Sequence, residues 1–401
     1  MTKYLIQHGP AKGSKIENAI KSGYCDGVVF SPREETIESI INYCKNDFLN
    51  KNNTFYDPQF YYVRYDSSNY KNLDKNLTYP FEITRRDWRT EDDKLINYFA
   101  NHASYSSILS NHLITPGLCI DCLDWKFDNT LEFYNFCKEE YKQFKSYYLT
   151  LAICENMFHS KNDLEDLLED INSKIDKKDG IYFIVVHANV ENNNNINNYE
   201  FMDEETISNI LYFIYKLREL GFKILSAYNF INSILFTMIG VDFVSGGWFN
   251  TLRKFSQDRF ESINSFGIRK KRYTSIPLLS YFTGDLASLI SKKMDISFML
   301  SDTPYDSAFM NDFDSLSFVD YEQEFWVALN NLINKINGQE TIKEKITFVR
   351  NLILTAIQHY DNIMSTFSDE QEICCKLKNS SAHLNKWLLA IDLFENKALI
   401  I

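Results

Sequence analysis

The chain has 401 residues, 45% hydrophobic and 24% charged, with 31 Phe and 25 Tyr. That balance excludes a disordered chain and suits one large domain with an accessory region. A net charge of -12 disfavours a dedicated nucleic-acid binder, which needs a broad basic face to replace phosphate counterions.

The elements read in chain order as alternating strand and helix. "KYLIQHG" is the first apolar run, and "SKIENAIKSG" follows as a helix with Ser14 and Glu17 spaced as a capping box. "DGVVFSP" is the second strand. Its helix, "SPREETIESIINYCKN", places Pro32 and two glutamates in the first turn, where the helix dipole favours them. "NTFYDPQ" is the third strand, and an insertion follows at about 60–90. "GLCIDC" is the fourth strand and "YYLTLAICEN" the fifth. "SKNDLEDLLEDINSKI" comes next, with Leu164, Leu167, Leu168, Ile171 and Ile175 on one helical face. "GIYFIVVHAN" is the sixth strand, and its helix closes at Gly221, a C-cap glycine. "FKILSAYN" and "GVDFVSGG" are the seventh and eighth.

These eight runs are nearly continuous in Val, Ile, Leu and Phe, as strands are when both faces are buried in a parallel sheet. The expected fold is α/β, a (β/α)8 TIM-type barrel over residues 1–300. The rival is an open doubly wound sheet. No GxGxxG follows the first strand, so NAD is not expected. Residues 301–320 read as a linker or flap, and 321–401 as an all-helical C-terminal extension. Its apolar faces must be buried, either on the outer wall or as a homodimer or protein-partner surface.

Eight cysteines are scattered along the chain, and the lone CxxC of Cys119 and Cys122 lacks a second pair at zinc spacing. Reduced, mostly buried thiols are expected. With a strand starting at Tyr4, no signal peptide is expected, and no apolar run approaches the roughly 20 residues of a membrane span. A cytoplasmic protein with no membrane contact is the expectation.

In a barrel, chemistry sits at the C-terminal ends of the strands. Those ends carry His8 after strand 1, Asp57 and Gln59 after strand 3, Asp121 after strand 4 and Glu155 after strand 5. His187 and Asn189 follow strand 6, Tyr228 and Asn229 strand 7, and Gly246, Gly247 and Trp248 strand 8. Polar groups at strand ends are costly to bury unless paired or solvated, so they point to one polar pocket. His187, Glu155, Asp57 and Asp121 are the catalytic candidates, as acids or bases. His8, Gln59, Asn189, Tyr228, Asn229 and Trp248 are substrate-binding candidates. The Gly246-Gly247 turn before a helix, with Arg253, forms a candidate phosphate nest. His8, Asp57, Asp121, Glu155 and His187 together suit a divalent metal, although no HExxH is present. A flavin phosphate would also fit the glycine turn.

The expected function is acid/base hydrolysis or group transfer on a polar small molecule: a sugar, nucleoside or phosphorylated compound. A non-catalytic barrel that binds a ligand or partner is the alternative. A nucleic-acid-processing enzyme of base-exchange type would require Arg64, Arg85, Arg86, Arg89 and Arg269 to Arg272 on one face.

Overall fold

The structure is a computed structural model that describes residues 1–45, 48–62, 84–90, 93–187, 203–249, 252–256, 270–313 and 315–400. Its centre is a curled parallel sheet. The main strands are β1 (Lys3–Gln7), β2 (Gly27–Phe30), β3 (Thr54–Tyr56), β4 (His112–Ile114), β6 (Ser146–Cys154), β7 (Gly180–His187), β8 (Lys223–Ser226) and β9 (Phe243–Gly246). Their order is β3-β2-β1-β9-β8-β7-β6-β4. Leu5 of β1 lies opposite both Gly27 of β2 and Ser245 of β9, so the eighth main strand returns beside the first. The two edges are β3 and β4. No ladder joins them among the described residues, but Phe55 of β3 stacks on His112 of β4 with ring centroids 5.3 Å apart. Phe55 also meets Tyr148 and Phe243 edge-on, so aromatic rings fill the concave side.

Strand alternation assigns the faces. Tyr182 points into the curl, whereas Phe183 packs outward on Phe158 and on Phe213 of the Glu204–Glu219 helix. Three strand entries share one device. The carboxylates of Asp26, Asp179 and Asp242 accept the backbone N–H of Tyr4, Tyr147 and Ile224 on the neighbouring strand, each at 2.9 Å. This satisfies donors that the ladder leaves unpaired.

β6 and β7 run to 9 and 8 residues, longer than their neighbours. Their upper ends therefore take extra partners. β5 (Cys119–Ile120) lies beside Ala152 and Ile153, and β10 (Phe255–Ser256) lies beside Val186 and His187. The "GLCIDC" run is thus not the main fourth strand; that place belongs to His112–Ile114, and the run supplies only the short β5 of an upper tier. The second helix also starts later than expected, at Ile37, with the Thr36 side chain accepting from Ser39 N. Glu35 is drawn instead to Lys12 and Ser39. Ser14 stands at the N-cap of its helix without a side-chain capping bond, because Glu17 N donates to Tyr43 Oη at 2.8 Å. Gly221 takes φ 96° past the Glu204–Glu219 helix, the left-handed turn that glycine allows.

Past β9 the chain adds a β11–β12 hairpin (Arg272–Ser275, Ser280–Thr283) and then helices. The 301–320 stretch is packed down: the Asp306–Asn311 helix sets Phe309 on Tyr273 with centroids 3.8 Å apart, and Asp306 accepts from Tyr273 Oη at 2.7 Å. The Phe318–Asn337 helix lies against β1, between the Lys15–Lys21 and Ser233–Met238 helices. Asn337 brackets Thr2 with two backbone hydrogen bonds of 2.9 and 2.7 Å, and Glu322 pairs with Lys15 at 2.9 Å. The Ile342–Thr366 and Gln371–Ala398 helices cover the outer wall, where Phe394 meets Tyr215 and Lys386 pairs with Glu204. No helix among the described residues is long and apolar enough to cross a membrane.

Candidate functional site

Asp57 follows β3 and is fully buried. Its Oδ2 accepts hydrogen bonds from Tyr61 Oη at 2.6 Å, Tyr182 Oη at 2.8 Å and Tyr228 Oη at 3.3 Å. Its Oδ1 accepts from Gln59 N at 2.9 Å. The tyrosines come from three places: a one-turn 3-10 helix after β3, the concave face of β7, and the turn after β8. Tyr61 and Tyr228 touch through their hydroxyls at 3.0 Å, and Gln59 Nε2 donates to Tyr228 Oη at 3.4 Å. Burial pushes the Asp57 carboxyl up to about 6, although the hydroxyls and the Gln59 amide pull the other way. Gln59 and Tyr228 both adopt left-handed backbone, at φ 53° and 59°. For non-glycine residues that conformation costs about 1–3 kcal/mol and concentrates at functional sites.

Beside this cage, at the ends of β1 and β2, stand Gln7, His8 and Ser31, all fully buried. Ser31 Oγ has no hydrogen-bond partner among the described residues, whereas Gln7 faces Tyr182 and His8 faces Glu35. Buried polar atoms rarely stay unpaired, so such a group marks a place for water or ligand. Gln7 Oε1 accepts from Ser245 Oγ at 3.0 Å, and His8 Nε2 lies 3.8 Å from Glu35 Oε1. Burial acts to raise Glu35, but His8 and Lys12 outweigh it and hold the carboxyl at about 2.

His187 and Glu155 meet in the upper tier, Nδ1 to Oε2 at 3.1 Å. Burial pulls the imidazole below its ordinary value, with Lys254 adding to the effect and Glu155 opposing it. Burial acts to raise Glu155, yet His187 and Lys254 keep it below the usual carboxylate range. This pair does not share a reaction centre with Asp57. His187 lies five residues beyond Tyr182 on β7, roughly 17 Å at ~3.3 Å per residue, and on the opposite face. Cys154 faces inward instead, with its sulfur 3.4 Å from that of Cys119.

The remaining candidates have other engagements. Asp121 is exposed and paired with Lys126. Asn229 is tied to Ser226 and Asn232 within its own turn. Trp248 is buried, donates to Pro10 O at 3.0 Å, and packs between His8 and Trp326. The expected phosphate nest is filled by protein. A side chain on Gly246 would strike Asn229 O at 2.1 Å, and one on Gly247 would strike Leu252 at 2.4 Å. The Gly247 amide donates to Leu252 O. Arg253 is buried with its guanidinium 3.7 Å from the centre of the Phe325 ring, and its Nε donates to Gly247 O. These glycines permit close backbone packing, and the arginine fills the space under the Phe318–Asn337 helix.

The five metal candidates are not gathered around one point; among the described residues the only such cluster is the solvent-facing Asp121, Cys122 and Asp124. Arg85 and Arg86 sit by the Trp125–Glu140 helix and Arg272 by the Phe318–Asn337 helix, against different parts of the sheet. Asn189, Arg64 and Arg269 lie outside the described residues. Tyr61 and Tyr182 do not stand out in the sequence, because a tyrosine in or near a strand reads as core. The available signal was the four-residue spacing from Asp57 to Tyr61 after a Pro-containing turn. Comparison with known protein families, curated proteins and solved structures finds no match to this chain.

Proposed function

We propose that Asp57 is the general acid/base of a hydrolase or group-transfer enzyme acting on a polar small molecule. The observation that carries this reading is a fully buried carboxyl met by three tyrosine hydroxyls and the Gln59 amide, whose burial raises its proton affinity toward a working pH. Acid/base catalysis is most effective there. The left-handed Gln59 and Tyr228, and the buried Gln7, His8 and Ser31 beside the cage, support it. In this reading Tyr61, Tyr182 and Tyr228 relay or orient the proton, and His8 and Ser31 hold substrate. Strand order and the return of β9 to β1 support a closed (β/α)8 barrel, with the Phe318–Asn337 helix in the place of the eighth helix.

A second reading, a non-catalytic binding barrel, is favoured by one observation: four protein donors already meet the two oxygens of the Asp57 carboxylate. One experiment separates the two. Wild type and Asp57→Asn are assayed on nitrophenyl glycosides, nitrophenyl phosphates and nucleosides, with thermal-shift binding run in parallel. The catalytic reading expects a turned-over compound that slows by about a hundredfold or more in the variant. Binding without turnover, or turnover unaffected by the substitution, contradicts it.

A further inference from the structure

The opposite end of the sheet holds a second concavity. A cavity of about 410 Å³ opens at the N-terminal ends of the strands. Lys3, Lys145, Lys178 and Lys223 line it, each at or just before the start of a different strand. Tyr148 and Phe243, whose rings pack on Phe55 inside the curl, form its inner wall. Asp242 is the one acidic lining residue, and its Oδ2 already accepts from Ile224 N. Lys3 donates to Asn53 and Lys178 pairs with Asp176, whereas Lys145 and Lys223 have no carboxylate partner among the described residues.

The chain carries a net charge of -12, yet four lysines and one aspartate line this cavity. A concave wall lined by one sign of charge focuses the field and concentrates counter-ions. The His112 imidazole is pulled down to about 4 by burial first, then by Lys223 and Lys145, against an opposing hydrogen bond with Asn52. It stays hydrogen-bonded to Ser146 Oγ at 2.7 Å and adds no positive charge at neutral pH.

We propose that this mouth binds a small polyphosphate anion, its charges met by Lys3, Lys145, Lys178 and Lys223. Lysine ammonium groups bind phosphate as point charges without demanding a fixed geometry. The volume is within the range of small-ligand sites. The Tyr148 and Phe243 wall offers an apolar surface for a ring attached to the phosphates, as in a nucleoside triphosphate. The site is independent of the Asp57 reading, because it occupies the other end of the strands and shares no residue with it.

The test is calorimetric titration of the full chain with inorganic tripolyphosphate, ATP and adenosine, without added metal. Lys145 and Lys223 are exposed, so a Lys145→Ala/Lys223→Ala double variant should fold as wild type, which circular dichroism checks. Tripolyphosphate is expected to bind at one site, about tenfold or more weaker in the double variant. About 1 M salt, where the screening length is about 3 Å, should weaken it similarly. Lys378→Ala, an exposed lysine on the last helix, should leave binding unchanged. Tighter binding of ATP than of tripolyphosphate would assign a nucleotide; equal binding would assign the phosphate chain alone. Absence of saturable binding, or equal affinity in the double variant and wild type, overturns the proposal.

Discussion

Asp57 and Glu155 are both carboxyls that follow a strand of the same sheet, and their surroundings move them in opposite directions. Asp57 is sealed among neutral hydroxyls and rises to about 6. Glu155 sits half-buried beside His187 and Lys254 and falls below the usual range. Burial acts to raise both, more completely at Asp57, and the neighbours differ: neutral hydroxyls at Asp57, His187 and Lys254 at Glu155. Hydrogen bonds from neutral tyrosines offset part of the desolvation of Asp57, whereas cationic character near Glu155 more than offsets it. The contrast assigns roles by environment. A carboxyl that holds a proton near neutrality suits acid/base work, and one kept ionised suits orienting an imidazole.

The largest expected effect is on Asp57 itself. A folded-state pKa raised from 3.8 to about 6 means that the folded chain keeps this proton between about pH 4 and 6, where the unfolded chain has released it. The contribution of the group to stability therefore falls as pH rises through that window. At about 1.4 kcal/mol per unit the ionised carboxylate costs about 3 kcal/mol at pH 7.5. Asp57→Asn should be more stable than wild type by up to that amount at pH 7.5, and the gain should fade near pH 4. Paired denaturant melts across that range measure it; a variant less stable than wild type at pH 7.5 would break the contrast. Tyr182→Phe removes one hydroxyl from the carboxylate. It should destabilise by about 2 kcal/mol at pH 7.5 and by less at pH 5, where the acceptor is mostly protonated.

Smaller effects belong to the exposed side of the comparison. Glu155→Gln should cost about 1 kcal/mol or less, because the pair is partly solvated. It should also lower the His187 pKa further, since the Glu155 hydrogen bond opposes the effect of burial. Imidazole proton NMR reads that shift, and an unchanged His187 titration would show the contact to be absent in solution. Asp121→Asn, at an exposed residue paired with Lys126, should change stability by no more than about 0.5 kcal/mol.

Much of the architecture was legible in the chain. Continuous apolar runs gave seven of the main strands, because a strand buried on both faces leaves no polar alternation to confuse with a surface helix. The fourth was hidden, since "HLI" is three residues long and begins with a histidine. Glu155 and His187 could be proposed as strand-end groups, and they do touch. Their separation from Asp57 could not be read, because it depends on how far β6 and β7 outrun the other strands. The tyrosine cage was equally hidden: Tyr61, Tyr182 and Tyr228 meet only when the sheet curls. Gly246, Gly247 and Arg253 resembled an anion site because glycine serves close packing and ligand approach alike, and only Leu252 and Phe325 decide which.

The central claim rests on the protonation of one carboxyl. Carbon-13 NMR of the aspartate side chains, with Asp57→Asn to assign the Asp57 signal, measures it directly across pH 3 to 8. A midpoint at about 6 is the predicted result. A midpoint near the ordinary aspartate value of about 4 would contradict it and leave the tyrosine cage as a structural feature alone.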